Sequence, residues 1–161
     1  MKKNFLYIFF IIYFVVGSLA SLNTGISHDE FHEQENWNYN IDLTKNLAGY
    51  FFLDQGYDTK YDNYKDKYYG IGFQIISQPI QHLLKNFIVE FKHISPYGAT
   101  LVAKHFIVFL FFFSSSFFIF LILRKIVKND FFCYFTIIIY LTYPYLFGQA
   151  LFSPKDIPFL S

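Results

Sequence analysis

Three stretches of this chain carry no charged side chain. They are residues 5–22 (FLYIFFIIYFVVGSLASL), 106–123 (FIVFLFFFSSSFFIFLIL) and 131–148, each about 18 residues long. A hydrocarbon core about 30 Å thick takes roughly 20 helical residues rising about 1.5 Å each. The second run can extend back through 99–103 and the third forward through 149–152. In lipid every backbone N–H and C=O must find its partner within the segment, which a helix achieves. We therefore read an all-α integral membrane protein. Its spans lie at 5–22, 101–123 and 131–148, joined by segments 23–100 and 124–130. Residues 149–161 form a turn and the start of a fourth span, so that 1–161 is one membrane domain.

Composition agrees. Hydrophobic residues make up 54% of the chain and charged residues only 16%, against about a quarter charged in soluble domains. That excludes intrinsic disorder, which needs low hydrophobicity and high net charge. Cys133 is the one cysteine, which excludes a disulfide scaffold. A net charge of +1 offers no case for nucleic-acid binding.

Basic residues set the orientation. Lys2 and Lys3 precede the first run, and Arg124, Lys125 and Lys128 fill the short link between the second and third. Segment 23–100 holds ten acids and six bases. The positive-inside rule places the N-terminus and residues 124–130 in the cytoplasm and 23–100 outside. The first run also reads as a signal peptide: two lysines, an apolar stretch, and Ser18-Leu19-Ala20 before a cleavage point. We take it as an uncleaved helix, and both readings leave 23–100 outside.

Within 23–100, apolar residues recur at Ile76, Ile80, Leu83, Leu84, Phe87, Ile88 and Phe91. This is the spacing of one helix face, opposite Gln81, Lys85, Asn86 and Glu90. The pattern predicts an amphipathic helix over 79–92 lying at the outer interface, with Pro79 in its first turn. A core helix is the plainer alternative. Residues 53–69, polar and interrupted by Gly56, read as a connecting loop. Trp37 and the tyrosines of this segment suit a membrane boundary. Cys133 reads as a small packing residue in the third span.

The densest chemistry follows the first span. His28, Asp29, Glu30, His32 and Glu33 lie within six positions. Ser27 and Glu30 have the spacing of a capping box. His28 and His32 would share a helix face, as in metalloprotease motifs, but Asp29 follows the first His and no third ligand is evident. They remain weak metal candidates. A carboxylate at this boundary can instead act as general base on a hydroxyl, or hold a cation that neutralises a phosphate. A second acid, Asp156, stands in a Ser153-Pro154-Lys155-Asp156-Ile157-Pro158-Phe159 turn placed on the same side by the topology.

This order of features resembles the N-terminal part of GT-C glycosyltransferases, most nearly the protein O-mannosyltransferase-like branch. Asp29-Glu30 and the 153–159 turn carry the resemblance. Tyr69-Gly70 and Lys104-His105 add weaker likenesses, and the resemblance covers essentially the whole chain. It implies transfer of a sugar from a polyprenyl-phosphate donor to a hydroxyl of a protein, lipid or glycan acceptor at the outer face of a bacterial inner membrane. Asp29 would be the catalytic carboxylate and Glu30 its support or the helix-start residue. Asp156 would be the second acid. Lys155, Lys104 and His105 would meet the donor phosphate, though snorkelling to the interface is the stronger reading for Lys104. Where the family often has Arg before that His, this chain has Lys104, which weakens a bidentate phosphate contact. The cofactor is left open, with a divalent cation as a candidate. Such enzymes have many more spans than three, so the expectation is a truncated chain lacking much of the carrier cavity. The alternative is a non-enzymatic membrane subunit that binds a partner or a metal through its outer segment.

Overall fold

A computed structural model describes residues 3–53, 56, 58–65 and 71–153. Among these residues every regular element is helical: α1 (Lys3–Asn23), α2 (His28–Leu53), a 3-10 turn (Thr59–Asn63), α3 (Gly72–Lys92), α4 (Pro96–Ile126), α5 (Asp130–Thr142) and α6 (Pro144–Ala150). Two of them, α1 from Leu6 and α4, are long and apolar enough to cross a membrane, and the α5–α6 pair is a third if counted as one span. The chain divides into two units, one of residues 27–76 and one of the remainder.

The larger unit is organised on α4. Ser95 caps it, accepting the Gly98 N–H at 3.1 Å, and Pro96 occupies its first turn, where a missing N–H costs nothing. Arg124 and Lys125 end it, favourable charges for a helix C-terminus. Asn129 caps α5 through the Phe131 N–H at 3.0 Å. Arg124 Nε sits 3.3 Å from Asp130 across this short link and lies over the Phe120 ring.

Helices α1 and α4 meet through rings. Tyr13 and Phe14 of α1 lie against Phe109 and Phe113 of α4, with centroids 5.2–6.3 Å apart. Gly17 allows the approach: a Cβ there would fall 2.2 Å from the Phe109 ring. Buried Cys133 packs on α5, its thiol 3.5 Å from the Val127 carbonyl.

The third apolar run is not one straight helix. Its continuous reading over 131–148 is corrected by a 59° bend between α5 and α6. Pro144 has no N–H to donate back into α5, and its ring obstructs the preceding turn. The run's lack of charge reflects its surroundings and says nothing of backbone continuity.

The helix expected over 79–92 begins earlier, at Gly72, so Pro79 is interior to it rather than in its first turn. Its faces are also distributed differently from a simple core helix. Ile76, Ile80, Leu83, Phe87 and Phe91 are exposed, while Gln74, Ser77, Gln78 and Gln81 are buried. Only Ile88 of the apolar set is fully enclosed. It packs with Ala99, Val102 and Ala103 of α4, flanked by Leu22 and Leu84. Lys92 at the end of α3 donates to the Leu22 carbonyl and to Asn23 Oδ1 at the end of α1.

In the smaller unit α2 runs 26 residues. The segment read as a plain loop carries the Thr59–Asn63 turn and folds back on α2. Tyr64 stacks on Tyr39 with centroids 4.0 Å apart, and its hydroxyl donates to Asn36 Oδ1 at 2.6 Å. The Asp58 N–H reaches Asn46 Oδ1 at 3.3 Å.

Candidate functional site

Ser27 precedes α2, and Glu30 closes the first turn by accepting the Ser27 N–H at 2.7 Å. One arm of the capping box is thereby formed, and an otherwise unpartnered N–H of the helix start is satisfied. Helix geometry then separates the acidic pair. Neighbouring residues point about 100° apart on a 3.6-residue turn, so Glu30 is fully enclosed while Asp29 is exposed. Among the described residues no side chain holds the Asp29 carboxylate. Glu33 and Asn36, one and two turns on from Glu30, are also buried. A polar strip therefore runs down one side of the first turns of α2.

The histidines do not converge. His32 is half exposed, its Nδ1 3.7 Å from Glu35 Oε2. The side chain of His28 lies outside the described residues. Among those residues no three side chains of metal-binding type come together.

Lys104 and His105 both lie on α4, about two turns in from Pro96, and both are fully buried. This corrects the snorkelling reading of Lys104. Its neighbours Leu101, Val102, Ala103 and Val108 are themselves buried, so the ammonium is enclosed by protein instead of reaching an aqueous surface. Neither side chain is without an interaction. The same unit also buries Ser21, Ser77, Gln78 and Gln81, and Gln81 donates to Ser77 Oγ at 2.9 Å.

Lys155 and Asp156, and the Tyr69-Gly70 pair, lie outside the described residues. Ser153 is buried, with its N–H on the Gln149 carbonyl at 2.8 Å.

Sequence reasoning placed Gln81 on the polar face of this helix but missed its burial and the strip it forms with Gln74, Ser77 and Gln78. The strip's spacing of three, one and three residues is a one-face pattern, so the signal was present. The pattern of apolar residues drew attention to the opposite face.

One electrostatic feature is resolved outside the spans. Lys60 donates to Asp58 twice, from its ammonium at 2.9 Å and its backbone N–H at 3.0 Å. These bonds hold the Asp58 carboxyl below its ordinary value.

No family model, curated protein or solved structure matches this chain.

Proposed function

We propose that this chain is a membrane glycosyltransferase. It transfers a sugar from a polyprenyl-phosphate donor to a hydroxyl at the outer face of a bacterial inner membrane. The observation that carries the reading is the complete enclosure of Lys104 and His105 within a helix apolar enough to cross a membrane. Ionisable residues in such helices are costly and mark substrate paths or paired sites. The phosphate-partner role that the resemblance gives Lys104 would require its ammonium to leave this enclosure.

The inverted faces of α3 support a polar site beside lipid. Its glutamines and serine turn inward, and its isoleucines and phenylalanines turn outward. In this reading Asp29, exposed and held by no side chain among the described residues, is the base that takes the acceptor's proton. Glu30 holds the start of α2 and so fixes where Asp29 stands. Asp156 and Lys155 complete the site as second acid and phosphate partner. A divalent cation at the phosphate remains compatible with this chemistry.

The test uses the full-length protein in lipid vesicles with a radiolabelled polyprenyl-phosphate sugar and a hydroxyl acceptor. Asp29→Asn is expected to lower transfer by about 100-fold or more, the contribution typical of a general base. Transfer by Asp29→Asn at the unaltered rate would remove Asp29 from the mechanism.

A further inference from the structure

The link between α4 and α5 concentrates charge at one end of the larger unit. Arg124, Lys125 and Lys128 fall within five positions, against the single acid Asp130, and all four side chains are exposed. Arg124 is held on two sides, by Asp130 Oδ1 at 3.3 Å from its Nε and by the Phe120 ring, 5.7 Å from the guanidinium carbon. The one acid of the link is thereby taken. Lys125 and Lys128 pair with no side chain among the described residues. Helix α1 brings its start toward the same end. Phe10 meets Phe113 while Gly17 meets Phe109, so α1 and α4 run antiparallel. Helix α1 begins at Lys3 and has no acid in its first turn, so it adds no charge that offsets the two lysines.

We infer that Lys125 and Lys128 clamp the headgroup phosphate of an anionic phospholipid, with Arg124 fixing the link that carries them. This site stands apart from the proposed sugar transfer. Unpaired lysines are ordinary on a surface in water; what surrounds these two selects the occupant. Ile122 and Ile126 on one side of the link, and Phe131 and Phe132 on the other, are 54–73% exposed. They belong to α4 and to the α5–α6 pair, which are apolar enough to cross a membrane. Lipid chains cover such side chains, so both ammoniums stand at the edge of the hydrocarbon, at the depth of lipid phosphates. A lysine there rests its methylene stem along apolar surface and lifts its charge to the headgroups. Charge complementarity narrows the class further. A zwitterionic headgroup brings its own cation, which opposes the lysines, whereas an anionic one supplies the negative charge that the link lacks. By the positive-inside rule this is the cytoplasmic leaflet.

The test is native mass spectrometry of the full-length protein in detergent, titrated with phosphatidylglycerol or with phosphatidylcholine of the same acyl chains. Phosphatidylglycerol is expected to bind about tenfold more tightly. Lys125→Gln combined with Lys128→Gln is expected to bring that ratio to within about twofold, and each single substitution to lower it about threefold. Thermal unfolding shows which variants are folded, and the single substitutions carry the test if the double variant is not. A charge-matched control, Lys45→Gln with Lys65→Gln, removes two exposed lysines of the 27–76 unit and is expected to keep the preference. Equal binding of the two lipids would overturn the assignment. So would a preference that survives loss of Lys125 and Lys128, or one lost equally in the control, which would mean a response to net charge alone. Displacement of phosphatidylglycerol by millimolar inorganic phosphate would mean a soluble-anion site and would overturn the lipid assignment.

Discussion

The Tyr13 hydroxyl donates to the Leu141 carbonyl oxygen at 2.6 Å, joining residues 128 apart in the chain. Leu141 lies in the last turn of α5, where carbonyls have no partner within the helix. Water would normally satisfy such a group, but Leu141 is fully enclosed, so its carbonyl must find a partner in protein. Tyr13 supplies it, so α1 stabilises the break that Pro144 creates.

Tyr13→Phe therefore removes the donor while keeping the ring. It is expected to destabilise the protein by about 1–2 kcal/mol, the range for a lost intramembrane or buried hydrogen bond. Unfolding in mixed micelles checks this. A variant as stable as the parent would show that Leu141 has another partner.

Gly17 and Phe109 make the second testable contact. A methyl group at Gly17 would overlap a fully buried ring, and Gly17→Ala is expected to cost about 1–3 kcal/mol. Pairing it with Phe109→Leu should return part of that loss, because the smaller side chain vacates the space. Additive losses in the double variant would argue against direct contact. The measurement is a double-mutant cycle by thermal unfolding.

His93 adopts a φ of 53° just after α3, its N–H on the Val89 carbonyl at 2.9 Å. This is a helix-ending position that favours glycine. His93→Gly relieves the left-handed strain at some cost in chain entropy, for an expected gain of about 0.5–1 kcal/mol. His93→Val should destabilise, since a β-branched side chain fits this conformation worst.

Much of this architecture was legible in the sequence. The uncharged runs around Leu6 and Ile107 marked the two long apolar helices. The Ser27–Glu30 spacing marked the start of α2, and the recurrence from Ile76 to Phe91 marked α3. What escaped has physical causes. The break at Pro144 sits inside a run whose apolar character is uniform, so composition cannot register it. The body of α2 shows little one-sided patterning, being rich in Asn and polar side chains from Gln34 to Asn46. Its pairing with Tyr64 spans 28 residues, and no local spacing encodes that. The burial of Lys104 depends on what packs over α4, so a lysine near a span's end reads like any interface anchor. Residues 154–159, Asp156 among them, fall outside the described residues.

The Asp58–Lys60 pair yields a pH prediction. Because the folded pKa of Asp58 is lowered, the stabilisation is present above the ordinary carboxylate range and is lost as pH falls through the lowered value. Lys60→Met should raise the Asp58 titration midpoint toward the ordinary value, read by carbon NMR of the labelled carboxyl. Both charges are solvent-facing, so the effect should also shrink in high salt.

The central claim is sugar transfer at the outer face with Asp29 as base. It is tested most directly in right-side-out vesicles carrying the full-length protein, supplied with a labelled polyprenyl-phosphate sugar and a membrane-impermeant hydroxyl acceptor. The account predicts labelled acceptor with the parent protein and a loss of about 100-fold with Asp29→Asn. Absence of transfer in vesicles of either orientation, or equal transfer by the Asp29→Asn protein, would contradict it.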